Sequence, residues 1–154
     1  MKNSHSEAIP YILKAASYNS TIKTSPETYY YLASAYEQGP YEKLVTGYRA
    51  KFEGKAETDE SKLALENIYQ LLDRMIDAYA RAGALAGGPR KTARRYGPQT
   101  RTGSPTEWME DLTDWYKFRH KGSDAGLKKL IATILTQPLP AEPTQITSLP
   151  PRKK

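Results

Sequence analysis

The sequence contains no cysteine and only two histidines, His5 and His120. Without thiols there are no disulfides, no thiolate nucleophile and no zinc site built from cysteine. Two histidines are also too few for a histidine-rich metal site. We therefore predict neither a metal nor a cofactor, and the lack of cysteine leaves the redox compartment undecided.

Long apolar runs are missing as well, so no part of the sequence is predicted to span a membrane. The first twenty residues lack the basic, apolar and small-residue order of a signal peptide. At 154 residues, 38% hydrophobic and 26% charged, the chain suits one domain with its own core. We expect a soluble protein, cytoplasmic by default and periplasmic if the chain is a processed fragment of an exported protein.

Alternation of apolar and polar residues, the pattern of a strand, is absent, and the fold is predicted to be all-α. Helical patterns cover residues 6–19, 25–38, 41–52 and 61–85, and two more lie within 104–136 on either side of Gly122-Ser123. Ser25, Thr58 and Ser104 are predicted to cap helices. Gly39-Pro40 is predicted to stop the second helix.

The predicted inward positions follow helical spacing. The strongest pattern is in the fourth helix, whose apolar face is widened by Leu71, Met75 and Ala80. The main inward residues are Ala8, Ile12 and Ala15; Tyr29, Leu32, Ala33 and Tyr36; Leu44, Val45 and Tyr48; Leu65, Ile68, Tyr69, Leu72, Ile76 and Tyr79; Trp108, Leu112, Trp115 and Phe118; and Leu127, Leu130, Ile131, Ile134 and Leu135.

The spacings in the first two helices resemble those of the tetratricopeptide repeat. That family places a large residue, leucine, a small residue and tyrosine in its first helix, at spacings that residues 29, 32, 33 and 36 match. Its second helix places small residues around an aliphatic one, as at positions 8, 12 and 15. In such repeats the small residues let paired helices approach closely.

The resemblance implies an array over residues 6–85, with 6–19 as the second helix of one repeat and 25–53 as a full repeat. Residues 61–85 would form an elongated following helix. Leu44 and Lys51 depart from the family pattern, which expects alanine at both positions. An array that begins with a second helix also resembles a fragment of a longer one.

The remaining segments are predicted to frame that array. Residues 86–103 form a basic loop rich in glycine, proline and arginine, and residues 104–136 form a helix pair that caps the array. Residues 137–154 form a proline-rich, extended tail, which could be a ligand for another domain.

Tetratricopeptide-like proteins hold a partner segment on the concave face of the array. The resemblance therefore implies a non-enzymatic interaction or scaffolding module with a protein partner or other subunits of an assembly. Three consecutive tyrosines at 29–31 cannot all face inward in a helix, so some are left for contact. The predicted partner-binding residues are Tyr30, Tyr31, Ser34, Glu37, Asn67, Gln70 and Arg74.

An alternative function uses the formal net charge of +6 to bind nucleic acid or another anionic surface. The candidate residues lie in the basic loop: Arg90, Lys91, Arg94, Arg95 and Arg101. Without these five and the three basic residues at the C-terminus, 15 basic residues remain against 17 acidic ones. The rest of the chain is nearly neutral, which makes nucleic acid the less favoured partner.

Three patterns that suggest other chemistry have simpler explanations. GALAGGPRKT, residues 83–92, has glycines and a lysine, but it follows a helix and not a strand, and a proline interrupts the phosphate cradle. Asp73 and Asp77 could share a cation, yet arginines flank them, and an exposed Asp77–Arg81 pair is the simpler interpretation. His120, near the end of the fifth helix, has no serine or acid at a spacing that would make it a base.

The fifth helix also combines acids with tryptophans, as a carbohydrate-hydrolysing cleft does. The acids are Glu107, Glu110, Asp111 and Asp114. All come from one helix, and acids in a first helical turn are expected from the helix dipole. No enzymatic constellation is predicted.

Overall fold

The computed structural model of the protein describes residues 5–87 and 105–149, with side chains described from Glu107 onward in the second range. Within these ranges the regular structure is helical and contains no strand, which confirms the all-α prediction. None of the helices described combines the length and apolar character needed to cross a bilayer. The helices are α1 His5–Ser17, α2 Pro26–Tyr36, a π-helical segment Glu37–Tyr41, α3 Glu42–Phe52, α4 Asp59–Leu85, α5 Pro105–Arg119 and α6 Leu127–Thr133, with short 3₁₀ turns at Thr21–Thr24 and Ile134–Thr136.

The predicted stop at Gly39-Pro40 is wrong, because the helical backbone continues from α2 through the π-helical segment into α3. Proline has no N–H and its ring would collide with the carbonyl four residues earlier in a regular α-helix. A π-turn holds an extra residue, and here the Glu42 N–H donates to the Glu37 carbonyl five positions back. Residues 26–52 therefore form one helical run, and the helix pair implied for 25–53 is not formed there.

Gly39 lies in a close contact between α1 and the π-helical segment. A Cβ atom at this position would stand 2.7 Å from Ser6 Oγ and 3.0 Å from Ser6 N. The glycine thus lets the N-terminal turn of α1 approach the backbone of the second helical run, which explains its presence without a helix stop.

The long run of α2, the π-helical segment and α3 packs against α4 as a helical hairpin. Thr58 and Ser61 form a reciprocal capping box that begins α4, as predicted for this end of the helix. Gly54, with φ of +74°, turns the chain after α3. Across this turn Lys51 and Glu60 form an ion pair.

The predicted inward faces of α2 and α4 are confirmed. All four α2 positions are buried, and the α4 positions are buried except the half-buried Leu65 and Tyr69. Leu32, Leu72 and Met75 are at most 1% exposed and lie in the main hydrophobic cluster. The core is thus built along the interface of the hairpin.

In α1 the buried face is displaced from the predicted one. Ile9 and Ala16 are buried, whereas Ala8, Ile12 and Ala15 are only half-buried. The buried face is therefore centred one position later than the repeat spacing predicts, on Ile9 and Ala16, which were expected beside the predicted face. The repeat resemblance itself stays a prediction.

Helix α5 packs on α4 through Trp108, Leu112 and Tyr116, which are buried. Gly83 of α4 is buried where a Cβ would lie 2.6 Å from Met109 Sδ. Phe118 was predicted to be buried but is 63% exposed. It lies two residues, or about 200° around the helix, from the buried Tyr116.

Two further predicted inward residues lie on the surface. Leu44 in α3 is 38% exposed and Leu135, after α6, is 46% exposed. Leu127 and Ile134 are buried, so the last helical turns pack against α4 at their two ends.

Candidate functional site

Three polar side chains on one face of α4 bind the main chain of the C-terminal region. They are Asn67, Arg74 and Arg81, which we call the α4 ladder. Their spacing of seven residues is close to two helical turns, so the three side chains lie on the same face. Their partners lie within residues 137–149, which we call the tail segment.

Asn67 makes a two-sided contact with one residue of the tail segment. Its Oδ1 accepts a hydrogen bond from the Ile146 N–H at 2.8 Å, and its Nδ2 donates to the Ile146 carbonyl at 3.0 Å. The Nδ2 group also donates to the Leu63 carbonyl, which fixes the orientation of the amide on the helix. Asn67 therefore pairs with the Ile146 peptide groups much as a neighbouring strand would.

The two arginines of the ladder donate to carbonyls. Arg74 Nε donates to the Ala141 carbonyl at 3.0 Å. One terminal nitrogen of Arg81 donates to the carbonyls of Gln137 at 3.1 Å and Pro138 at 2.9 Å. All of these hydrogen bonds are to backbone atoms, so the bonds themselves do not involve the side chains of the tail segment.

Arg81 is the most buried member of the ladder. Its side chain is 5% exposed and pairs with Asp77, 17% exposed, with Nε and Oδ1 2.7 Å apart. The prediction of an exposed pair was wrong, because the N-terminal end of the tail segment and its Leu139 lie on this part of α4. Desolvation raises the pKa of the Asp77 carboxyl, although hydrogen bonding and the charge of Arg81 act in the opposite direction.

The tail segment runs antiparallel to α4. Gln137 and Pro138 meet Arg81, Ala141 meets Arg74, and Ile146 meets Asn67. The fourteen residues from Asn67 to Arg81 rise about 21 Å along the helix. The eight steps from Pro138 to Ile146 would cover about 25 Å in polyproline II geometry, a length comparable with that separation.

The predicted partner-binding residues do not lie together in one site. Asn67 and Arg74 contact the tail segment, while Gln70, half-buried between them, has no described hydrogen bond to it. Tyr31 is 48% exposed and Ser34 is half-buried. Of these residues, Asn67 and Arg74 are the two that bind the tail segment.

Tyr30 and Glu37, also predicted to bind a partner, take part in internal packing. The Tyr30 ring stacks on Trp108 with centroids 5.0 Å apart. Glu37 Oε2 accepts a hydrogen bond of 2.9 Å from the Tyr79 hydroxyl. Desolvation raises the pKa of the Glu37 carboxyl, the Tyr79 hydrogen bond lowers it and the charge of Asp111 raises it.

Two cavities lie near these elements. The larger, of about 560 Å³, adjoins the end of the tail segment, with Leu149, Leu65 and Tyr69 on its apolar side. Glu57 and Glu66 are among its acidic lining residues. The smaller, of about 290 Å³, lies between the π-helical segment, α3 and Trp115. The first cavity thus lies between the start of α4 and the C-terminal end of the tail segment.

Within the described residues, the aspartates of α4 and the glycine-rich stretch do not form a site. Asp73 pairs with Arg119 at 2.8 Å and Asp77 with Arg81, so the two aspartates do not share a cation. Among the described residues, no three acidic or histidine side chains gather closely enough to hold a metal. Gly87, with φ of +88°, ends α4, while Gly88 and the rest of the glycine-rich stretch lie outside the described residues.

The acids of α5 share one exposed surface. Desolvation raises the pKa of the Asp111 carboxyl, and the charges of Asp114, Glu107 and Glu110 raise it further. The His120 ring packs on Tyr116 with centroids 4.2 Å apart.

The basic residues of the alternative function, at positions 90–101, lie outside the described residues, as does Ser104. Binding of nucleic acid through this loop therefore stays a prediction. Ser25 precedes α2 as expected, but its hydroxyl donates to Glu27 Oε2 and makes no capping bond.

Sequence reasoning missed Arg81 and the tail segment as parts of one site. Arg81 was assigned to an exposed pair with Asp77, and no local pattern relates it to residues 56 positions away. The available signal was the spacing of seven between Asn67, Arg74 and Arg81, long polar side chains aligned on a helix beside a proline-rich segment.

Comparison of the sequence with family models, curated proteins and solved structures gives no significant match.

Proposed function

We propose that this chain is a non-enzymatic interaction module that binds an extended peptide segment along the α4 ladder. The observation that carries the proposal is the set of hydrogen bonds from Asn67, Arg74 and Arg81 to the main chain of residues 137–146. In this state the site holds the chain's own tail segment, which acts as an internal ligand.

The contacts of the ladder exceed what an attached tail requires, and this supports a binding role. A covalently attached segment needs little affinity to remain in place. A flexible tether gives an effective concentration on the order of millimolar. Yet the ladder makes five hydrogen bonds to the tail segment, and one of the donors, Arg81, is almost fully buried. Such a surface is suited to segments that arrive from a partner.

The proposal does not depend on the repeat arrangement. An antiparallel hairpin of two long helices already supplies a rigid face, and a site on a helix holds its side chains more firmly than a loop would.

The test frees the ladder in the full chain by the double replacement Leu139→Asp and Ile146→Asp, which we call the tail variant. A fluorescein-labelled peptide with the sequence of residues 137–149 is then titrated and its anisotropy measured. We expect binding to the tail variant at least about tenfold tighter than to the wild-type chain, in which the attached tail competes.

Adding Asn67→Ala and Arg74→Ala to the tail variant should abolish binding, whereas adding Gln70→Ala, between them on α4, should leave it unchanged. Circular dichroism and a thermal melt show whether each variant is folded. If the tail variant unfolds, Ile146→Pro alone removes the N–H that Asn67 binds and serves instead. Binding that ignores the ladder replacements would refute the proposal.

A further inference from the structure

Burial along the tail segment repeats every third residue. Pro140, Pro143, Ile146 and Leu149 are half-buried, and the residues between them are exposed. Leu139, which packs against both hydrophobic clusters, is the one addition to this pattern. A β-strand would bury alternate residues, so the period excludes strand-like seating.

A period of three is the geometry of the polyproline II helix, which has three residues per turn and no internal hydrogen bonds. Prolines at 138, 140 and 143 favour this conformation before any contact is made. The main-chain groups remain free to bond outward, and the ladder supplies partners for several of them.

The chemistry of the ladder matches a segment that contains proline. Arg74 and Arg81 are donors and meet carbonyls, which proline retains. Only Asn67 accepts an N–H, and it does so at Ile146, where the tail segment has no proline. The site thus tolerates proline along most of its length and requires a donor at one position.

From these observations we infer that the α4 ladder selects polyproline II segments that carry proline or an aliphatic residue at every third position. The chain direction is antiparallel to α4, and a residue with a free N–H faces Asn67. Residues 137–149 are then one member of this ligand class. The inference rests on the proposed function and specifies its partner.

The experiment compares three peptides on the tail variant by competition with the labelled peptide. The first has the sequence of residues 137–149. The second has the same composition, but Pro143 exchanges places with Thr144 and Ile146 with Thr147, which breaks the period of three. The third replaces Ile146 by proline. We expect the second and third peptides to bind at least tenfold more weakly than the first.

Equal binding of the first and second peptides would overturn the selection by period, while leaving main-chain recognition by the ladder intact. Equal binding of the first and third would overturn the role of the Asn67 acceptor. If none of the peptides binds, the proposed function fails as well. If the tail variant does not fold, the Ile146→Pro chain is used for the same comparison.

Discussion

The two faces of α4 hold their neighbours by different means. The inward face buries Leu72, Met75 and Ile76 against the other helices, and this attraction has no direction. The face that carries the ladder uses charged and amide groups, whose hydrogen bonds require a particular geometry. The first face supplies stability, and the second sets which residues of the tail segment lie beside each ladder residue.

The difference predicts that the same helix will respond to mutation in two ways. Replacements on the inward face should change the free energy of unfolding without changing what binds. Replacements on the ladder should change binding, except at Arg81, where burial joins the two effects.

The largest effect is expected for Arg81→Ala, which leaves the Asp77 carboxylate in a nearly dry position without its partner. Breaking a buried pair in this way costs about 3–5 kcal/mol. Urea unfolding followed by circular dichroism measures the change. Replacing both partners, by Arg81→Met with Asp77→Leu, should recover part of the loss. A double variant as unstable as Arg81→Ala would assign the loss to the carbonyls of the tail segment.

Leu72→Ala should also reduce stability strongly, because the side chain is 0% exposed. Leucine to alanine in a core costs about 2–5 kcal/mol through lost transfer energy and the cavity that remains. In the tail variant background, the same replacement should leave peptide affinity unchanged at a temperature where the chain is folded. A parallel loss of affinity would contradict the separation of the two faces.

Two buried tyrosines provide a matched pair for directional bonding in the core. Tyr79 donates to Glu37, whereas the Tyr36 hydroxyl has no hydrogen-bond partner in the part of the chain described. Tyr79→Phe should lower the free energy of unfolding by about 1.5–3 kcal/mol, the range for a bond to a charged group. Tyr36→Phe should be neutral or stabilising, and thermal unfolding compares the two. Equal losses would refute the distinction.

Asn67→Ala should have a smaller effect on stability, about 1 kcal/mol, because its partner groups can turn to water when the tail segment is released. The sharper measurement is hydrogen exchange at the Ile146 amide, which should lose protection in this variant and keep it in Gln70→Ala. Protection that survives Asn67→Ala would show that the amide is held by another contact.

The smallest effect is expected from pH. Glu37, Asp77 and Asp111 all have pKa values raised in the folded chain, in each case mainly by desolvation. The folded state therefore binds protons at a higher pH than the unfolded state, and the free energy of unfolding should rise as pH falls from neutrality toward the ordinary carboxyl range. Glu37→Gln should flatten this slope, and a slope of the opposite sign would contradict the assignment.

Much of the fold follows from local sequence rules. The inward residues of α2 and α4 were predicted because a helix repeats its face at a fixed period, and Thr58 was predicted as a cap for the same local reason. The prediction at Gly39-Pro40 was wrong because the rule for proline assumes an α-helix, and a π-turn removes the clash.

The site was less predictable, since its contacts join distant parts of the chain. Asn67 and Arg74 were predicted to bind a partner, and the structure places the chain's own tail segment against them. Their binding of a partner stays a prediction. Arg81 was placed at the surface because a charged residue is usually exposed, whereas its side chain is 5% exposed and donates to carbonyls of the tail segment. Local patterns indicate which side of a helix is polar, and not what lies on it.

The π-helical segment determines which side chains of α3 face α4. An extra residue within a helix rotates everything beyond it by about 100° about the axis. The half-burial of Val45 and Tyr48 therefore depends on the extra residue in the π-helical segment as well as on their own apolar side chains. Removing one residue between Glu37 and Tyr41 would bring the downstream turns back into phase with α2 and aim a different set of side chains at α4.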